Sequence, residues 1–290
     1  MWQITGKYMK GLLPYTINVG GKLMDLGEPQ VMGILNVTPD SFYSASRKSS
    51  GREIADRVEA ILAQGGSIID IGAYSSRPGA DNVSVQEEMS RLRNGLRILR
   101  DIAPEAVVSV DTFRADVARM CVEEYGVQII NDISGGELDE RMFGTVAELG
   151  VPYILMHMKG NPQTMQQQPH YDDLLTEMLR YFGIRVQRLH ELGVKDVILD
   201  PGFGFAKTLE HNYELMNRMQ DLRVLELPIL AGVSRKSMIY RLLGLTPEEA
   251  LNGTSVLNTL ALLKGASILR VHDVREAVEV VRIVKKMLSC

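Results

Sequence analysis

The fold is decided by two consecutive stretches, Val107-Val108-Ser109-Val110-Asp111 and Val127-Gln128-Ile129-Ile130-Asn131-Asp132. Each is a short run, mostly of β-branched apolar residues, that stops at an acid or an amide. The same pattern recurs in six other places along the chain. These are Val31 to Leu35 before Asn36, Ile68 and Ile69 before Asp70, Tyr153 to Met156 before His157, Val197 to Leu199 before Asp200, Ile229 to Val233 before Ser234, and Ile268 to Val271, which contains Arg270, before His272.

Eight such runs favour a closed barrel of alternating strands and helices. Parallel strands with both faces covered read as near-continuous Val, Ile and Leu, and helical spacing between the runs, as in Ile54, Val58 and Ile61, supports alternation. A barrel of this kind needs about 250 residues, and the chain has 290. The pattern predicts an α/β fold, a TIM (β/α)8 barrel, with an open doubly wound sheet as the alternative if one strand is miscounted.

The segment before the first run predicts an N-terminal β-hairpin. Apolar residues alternate from Ile17 to Met24 around Gly20-Gly21, which is a turn signal. We expect residues 1–30 to form a hairpin that plugs the amino-terminal end of the barrel. Without a low-complexity linker or a shift in composition, residues 1–290 are predicted to be a single domain.

Composition narrows the class of protein. An apolar content of 45% and a charged content of 23% are typical of a soluble globular domain. The net charge of -4 argues against nucleic acid or an anionic membrane as the main partner. Two cysteines make no disulfide framework, and no apolar stretch near the start is long enough to span a membrane. We therefore expect a cytoplasmic protein.

The polar residues at which the eight runs stop are their terminators, and three of them predict a polar ligand site. The carboxyl ends of barrel strands face one cavity, so Asp111, Asn131 and Asp200 should converge there from three strands. Desolvated carboxylates need N–H partners, which the edge of a flat aminopyrimidine offers. The alternative is that each residue caps the following helix. That alternative explains Asp200 poorly, because Pro201-Gly202 follows it.

Basic residues after the last two strands predict an anion site. Barrel enzymes often bind phosphate there, and the chain has Ser234 to Ser237 after strand seven and Arg270 with His272 at strand eight. The amide oxygen of Asn36 suits Mg²⁺, although a turn-forming asparagine explains the same spacing. The stretch from Gly202 to Thr208 is not a phosphate-binding loop, because alanine precedes its lysine.

At these residues the chain resembles the dihydropteroate synthases, a pterin-binding family of the folate pathway. The resemblance rests on motifs that occur together and in order from about Val31 to the end of the chain. They are Met32 to Phe42, Ser76-Arg77-Pro78-Gly79, Ser109 to Thr112, Ile129 to Asp132, Met156 to Pro162, Asp200 to Phe205, Ser234 to Ser237, and Arg270 to Val274.

The resemblance implies a transferase that joins (7,8-dihydropterin-6-yl)methyl diphosphate to 4-aminobenzoate and releases diphosphate. It implies that the pterin contacts Asp111, Asn131, Asp200, Lys236, Met156, Phe205 and Arg270. It implies that the diphosphate contacts Arg270, His272 and, through Mg²⁺, Asn36. The aminobenzoate would contact Ser76, Arg77, Pro78, Phe203 and Ser237. Catalysis would fall to Arg270, His272, Lys236 and Asp111. The charge that develops on the leaving diphosphate, together with an electron-rich dihydropterin, separately predicts an SN1-like path without a covalent enzyme intermediate.

The resemblance also implies a homodimer and a sulfonamide target. Three departures concern the loops: Tyr43 to Lys48 replaces an Asp-Gly-Gly element, Ala73-Tyr74-Ser75-Ser76 replaces Gly-Glu-Ser-Thr, and Ala206 replaces a frequent glycine. Two alternative functions are open from the sequence. A corrinoid-linked methyltetrahydrofolate methyltransferase would not need the diphosphate residues, and a non-catalytic homologue would not need intact strand ends. Structural support is the expected role of Asp70 and His157.

Overall fold

Eight parallel strands close into a barrel. The structure is a computed structural model that describes residues 15–37, 47–74, 83–160 and 170–290. The barrel strands are β3 Gln30–Asn36, β4 Ile68–Gly72, β5 Val107–Asp111, β6 Ile129–Asp132, β7 Tyr153–Met156, β8 Val197–Asp200, β9 Ile229–Ala231 and β10 Ala266–Val271. Each pairs with the next in chain order, and β10 pairs with β3 to close the barrel. The predicted TIM barrel is confirmed, because each of the eight apolar runs forms a barrel strand.

One terminator lies deeper than the sequence pattern indicates. Strand β4 continues two residues beyond Asp70, so that Gly72 and not Asp70 pairs with Asp111 in the register. Asp70 pairs with Ile34 and Ser109 instead. Its carboxylate therefore enters the barrel below the layer of side chains at the strand ends.

The predicted N-terminal hairpin is also present. It consists of β1 Thr16–Val19 and β2 Lys22–Asp25, joined by Gly20 and Gly21, which both have positive φ. Ile17, Val19 and Leu26 pack against the inward-facing residues at the lower ends of the barrel strands, such as Ile68 and Ile268. The hairpin thus closes the barrel opposite the strand ends that carry the polar residues.

Helices surround the barrel and bury their apolar faces against it. They are α1 Arg47–Ala63, α2 Val85–Ile102, α3 Ala115–Tyr125, α4 Met142–Leu149, α5 Leu174–Glu191, α6 Leu209–Arg218, α7 Ser237–Leu243, α8 Leu251–Leu263 and α9 Val274–Leu288. A 3₁₀ helix, Met219–Leu225, follows α6. Helices α3 and α4 end at Gly126 and Gly150 in the left-handed conformation, which closes a helix without steric strain only for glycine.

Between residues 15 and 290, leaving out the gaps given above, no helix has both the length and the apolar composition needed to cross a membrane. The cytoplasmic location expected from the sequence stays a prediction.

Candidate active site

Arg270 lies at the centre of the polar cluster in the barrel mouth. Its side chain extends from β10 to carboxylates on β4 and β5: Nε donates to Asp70 Oδ2 at 2.7 Å and Nη2 donates to Asp111 Oδ2 at 2.8 Å. The guanidinium is one-fifth exposed, so these charge-assisted bonds form in a poorly solvated environment. The fork of Arg270 fixes the positions of both acids relative to each other.

Asp70 is fully buried and shared by two partners. Its Oδ2 also accepts a hydrogen bond from Asn131 Nδ2 at 3.1 Å, while Oδ1 has no hydrogen-bond partner among the described residues. A single oxygen atom of Asp70 therefore accepts from both Arg270, which is predicted to contact the diphosphate, and Asn131, which is predicted to contact the pterin. The sequence assigned Asp70 only structural support, although its place after an apolar run was the same signal that identified Asp111 and Asp200.

Asp111 stands in one register row with Asn36 and Asn131. The row runs Asn36, Gly72, Asp111 and Asn131 across four adjacent strands. A side chain at position 72 would place its Cβ 3.3 Å from Asp111 Cβ, so glycine there keeps room beside the carboxylate. Burial raises the pKa of Asp111 to about 7, against the charge of Arg270, and the neighbouring Asp70 raises it further.

Asp200 ends β8 and faces the same cavity, where it is buried. Its Oδ1 accepts from the backbone N–H of Gly202 at 2.8 Å. Gly202 has φ +68°, and a Cβ there would lie 2.2 Å from the carbonyl oxygen of His157, so only glycine fits this turn. Burial raises the pKa of Asp200, while the charge of Lys236 lowers it.

Lys236 approaches the same cavity from the loop after β9. Its Nζ donates to the carbonyl oxygen of Phe203 at 2.5 Å and lies 4.8 Å from the centre of the Phe205 ring. Burial lowers the pKa of Lys236 to about 8, although Asp200 opposes that shift. The lysine is therefore a cation at neutral pH that can donate to a ligand between itself and Asp200.

An apolar wall lies beside these charges. Met156, predicted from the sequence, packs with Ile133, Met158 and Ala206, and the partly buried rings of Phe113 and Phe205 lie against them. The sequence did not identify Ile133 and Phe113 as site residues, because each lies in a loop just after a polar strand end and belongs to no apolar run. A flat ring bound between Asp111 and Asp200 would have this cluster as its apolar boundary.

His272, a predicted anion ligand, is held in place at the end of β10. His272 follows β10, and its Nδ1 is 3.0 Å from Ser234 Oγ, which also accepts from the His272 backbone N–H at 3.1 Å. Burial and the nearby Arg270 lower the pKa of His272 to about 4, so the ring is neutral at pH 7. When the Ser234 hydroxyl donates to Nδ1, the ring proton is on Nε2, which can then donate to an anion. Arg57 Nη2 donates to the His272 carbonyl oxygen at 2.7 Å and anchors this turn to helix α1.

Two residues of the motifs point away from the mouth. The ring of Phe203, predicted to contact aminobenzoate, is 0% exposed in the core between barrel and helices, and only its backbone carbonyl reaches the site. That prediction is corrected for the side chain, because the sharp turn after Asp200 directs the ring inward. Arg235 forms a two-bond ion pair with Asp273, at 2.8 and 2.9 Å, and so does not enlarge the anion site.

Of the other residues predicted to contact aminobenzoate, only Ser237 is among the described residues. Ser237 begins α7, next to Lys236. Ser76, Arg77 and Pro78 lie outside the described residues, as do residues 38–46 of the variant first loop. The structure thus brings together the predicted pterin and diphosphate residues, and Ser237 follows one of them, Lys236.

Metal binding at this site would depend on few protein ligands. The described residues contain no group of three or more His, Cys, Asp or Glu side chains that could hold a metal ion. Asn36, half-buried at the end of β3, supplies one amide oxygen. Mg²⁺ often takes only one or two protein oxygens and completes its shell with water and substrate phosphate, so this donor set fits Mg²⁺ held jointly with a phosphorylated ligand.

Comparison with known proteins gives consistent results over almost the whole chain. The family described as "Pterin binding enzyme" matches residues 32–272. Dihydropteroate synthase of Escherichia coli (strain K12) is 43% identical over 277 residues, which are 93% of this chain and 95% of the relative.

Two solved structures resemble the barrel closely. Yersinia pestis dihydropteroate synthase with a sulfonamide drug complex has a TM-score of 0.85 and 39% identity, covering 95% of this chain and 100% of that one. Dihydropteroate synthase from Thermus thermophilus in complex with 4-aminobenzoate has a TM-score of 0.84 and 34% identity, covering 94% and 100%.

Proposed function

Because the chain belongs to the dihydropteroate synthases of the pterin-binding enzyme family, we propose how the residues in the barrel mouth share its reaction. The chain is a transferase of folate biosynthesis that condenses (7,8-dihydropterin-6-yl)methyl diphosphate with 4-aminobenzoate to 7,8-dihydropteroate and diphosphate. The observation that carries the proposal is the convergence of Asp111, Asn131, Asp200 and Arg270 on one cavity, from four strands.

The pterin lies between Asp111 and Asp200. Its aminopyrimidine edge donates to the two carboxylates and pairs with the amide of Asn131, and Lys236 donates to the ring oxygen and nitrogen side. Met156 and Phe205 border the ring, as the apolar cluster around them supports. Buried carboxylates favour a ligand with several N–H donors, because an unmet charge in this cavity would be costly.

The diphosphate lies on the side of Arg270 and His272. Arg270 presents a planar fork to phosphate oxygens, and neutral His272 donates through Nε2 while Ser234 holds its Nδ1. Asn36 would hold Mg²⁺ together with the diphosphate. When bound, Mg²⁺ would neutralise part of the charge of the leaving diphosphate.

The reaction breaks the bond between the methylene carbon and the diphosphate oxygen, and the electron pair leaves with the diphosphate. Arg270 and His272 stabilise the charge that develops there. The ionised Asp111 carboxylate favours positive charge on the dihydropterin methylene, which gives the step its SN1-like character. The neutral amine of 4-aminobenzoate then forms the C–N bond and loses a proton to water or diphosphate, so no strong general base is needed.

The second substrate enters beside Ser237. Ser76, Arg77 and Pro78 complete its subsite in this proposal, and sulfonamides compete for the same position. The complex of the Thermus thermophilus relative with 4-aminobenzoate supports an aminobenzoate subsite in this family.

The function is tested by incubating the protein with dihydropterin diphosphate, 4-aminobenzoate and Mg²⁺. We expect dihydropteroate and diphosphate in equal amounts, with the loss of both when the metal is chelated and their recovery when Mg²⁺ is restored. If the folded protein yields no product at any concentration, the proposal is wrong; if product forms equally well under chelation, the role of Mg²⁺ is wrong. Diphosphate release without aminobenzoate would support the SN1-like path, and a strict dependence of the rate on the basicity of the amine would contradict it.

The chain forms a homodimer through helices α7 and α8 in this proposal. Val256, Leu260 and Leu263 recur at helical spacing on the outer face of α8. Leu242 and Leu243 are on α7, which contacts α8, and each of the five is between 39% and 56% exposed. Contiguous exposed apolar side chains of this kind mark interaction sites in soluble proteins. A second copy of the chain would cover the patch with the same residues.

A charge in this patch should separate the subunits. We expect Leu260→Glu to shift the protein from dimer to monomer in light scattering coupled to size exclusion, because a carboxylate would be buried without a partner. Ile184→Glu is the matched control, since Ile184 is equally apolar and 59% exposed on α5. A monomeric wild type, or a Leu260→Glu variant that stays dimeric, would contradict the proposed interface.

A further inference from the structure

Lys207 is a buried lysine that the proposed reaction does not use directly. Burial lowers its pKa to about 7, although the charge of Asp200 opposes that shift. The residue is 4% exposed, and its Nζ donates to three acceptors: His157 Nδ1, the Gly202 carbonyl and the Phe205 carbonyl, each at 3.1 Å. An ammonium group has three N–H donors, so this set satisfies all of them. None of these three partners is a carboxylate. A lysine kept in the interior by a histidine and two carbonyls requires a specific explanation.

The three bonds fasten one short segment, residues 200–207 between β8 and α6. The backbone of this segment has positive φ at Gly202, Gly204 and Ala206, with values of 68°, 80° and 47°. The left-handed conformation is unfavourable for alanine, because its Cβ meets the following carbonyl oxygen. Such a conformation persists only where the surroundings hold it. Here Lys207 holds two carbonyls, and the Tyr171 hydroxyl donates to a third, that of Ala206, at 2.9 Å.

The same segment carries the pterin contacts of the proposed function. Asp200 begins it and depends on the Gly202 N–H, Phe203 gives its carbonyl to Lys236, and Phe205 borders the ring. Lys207 donates to the carbonyls of Gly202 and Phe205. In sequence, these two residues flank Phe203, whose carbonyl accepts from Lys236. Movement of this segment would therefore displace the Asp200 carboxylate and the Lys236 ammonium together.

His157 completes the arrangement from the neighbouring strand. Its backbone N–H donates to the Asp200 carbonyl at 2.9 Å, and its ring is packed edge-on against Tyr181, with 4.8 Å between ring centres. Burial and the charge of Lys207 lower the pKa of His157 well below its ordinary value, which keeps Nδ1 available as an acceptor. The ring thus serves Lys207 and not the substrate.

Building on the proposed function, we propose that Lys207 and His157 are positioning residues for the pterin subsite, which fix residues 200–207 so that Asp200 and Lys236 face the pterin together. Neither side chain needs to touch the substrate. The hydrogen bonds of Lys207 do not extend to Ser237 of the proposed aminobenzoate subsite.

The test compares Lys207→Met and Lys207→Arg with Lys195→Met, a matched control at an exposed lysine. Calorimetry with 6-hydroxymethylpterin measures the pterin subsite, and steady-state kinetics gives separate KM values for both substrates. We expect Lys207→Met to weaken pterin binding and raise the KM of the pterin substrate by about tenfold or more, while the KM of aminobenzoate stays within about twofold of the control. Lys207→Arg should recover part of the loss, because it keeps N–H donors at this position.

A second variant keeps the proposal testable if Lys207→Met does not fold. His157→Phe preserves the ring packing on Tyr181 and removes only the acceptor, so the same selective rise in the pterin KM is expected, to a smaller extent. Unchanged pterin binding in folded Lys207→Met or His157→Phe protein would overturn the proposal, as would an equal rise in both KM values. Turnover by the wild type tests the function separately, so an inactive wild type would reject the proposed function while the calorimetry still tests these positions.

Discussion

Replacement of Asp200 with alanine is expected to weaken the binding of 6-hydroxymethylpterin by about 10²- to 10⁴-fold, because two hydrogen bonds to a charged acceptor contribute about 1.5–3 kcal/mol each. The carboxylate is buried, and the Gly202 N–H that it accepts helps to hold the turn after β8. Calorimetry gives the affinity directly. Asp200→Asn should fall between wild type and Asp200→Ala, since it keeps the shape and loses the charge.

The control for Asp200 lies at the other end of the barrel. Asp196 precedes β8, and its carboxylate accepts from the Asn18 N–H of the plugging hairpin at 3.0 Å. Asp196→Ala should leave pterin affinity within about twofold of wild type, because its bond lies at the closed end of the barrel. Circular dichroism checks that both variants are folded. Unchanged pterin affinity in Asp200→Ala would place the pterin somewhere other than between Asp111 and Asp200.

Removal of Arg270 should lower kcat/KM by about 10³-fold, since preorganised donors to a developing charge contribute about that much to the rate. Arg270→Ala takes a donor from the leaving diphosphate and also leaves Asp70 and Asp111 without their shared cation. Arg270→Lys keeps the charge without the fork and should recover only part of the rate. Arg93→Ala is the control, because Arg93 forms a two-bond pair with Glu124 on the surface.

The pH profile of the Arg270 variants gives an independent measurement. In the wild type the pKa of Asp111 is about 7, and the charge of Arg270 is the influence that lowers it. Without Arg270 that pKa is higher, so the ionised carboxylate is lost at a higher pH. The acid limb of kcat/KM in Arg270→Ala should therefore move to higher pH than in the wild type. An acid limb at an unchanged pH would show that Asp111 does not need to be ionised for the reaction.

Much of the fold and part of the site were predictable because their signals are local. Apolar runs of strand length, helical spacing between them and the Gly20-Gly21 turn reflect the packing of each element separately. In a parallel barrel, the direction of the strands alone brings all their carboxyl ends to one mouth. The convergence of Asp111, Asn131 and Asp200 followed from that rule, without knowledge of any contact between them.

The tertiary structure alone decided which side chains pair inside the mouth. Arg270 and Asp70 are 200 positions apart in sequence, and their bond depends on closure of the barrel and on Asp70 standing below the strand ends. The turn at Gly202 sent the Phe203 ring into the core and the Phe203 carbonyl to Lys236. The sequence by itself determined the barrel, its polar face and the family chemistry. It did not determine the pairing of buried charges, because each bond depends on distances set jointly by several distant segments, which no local pattern encodes.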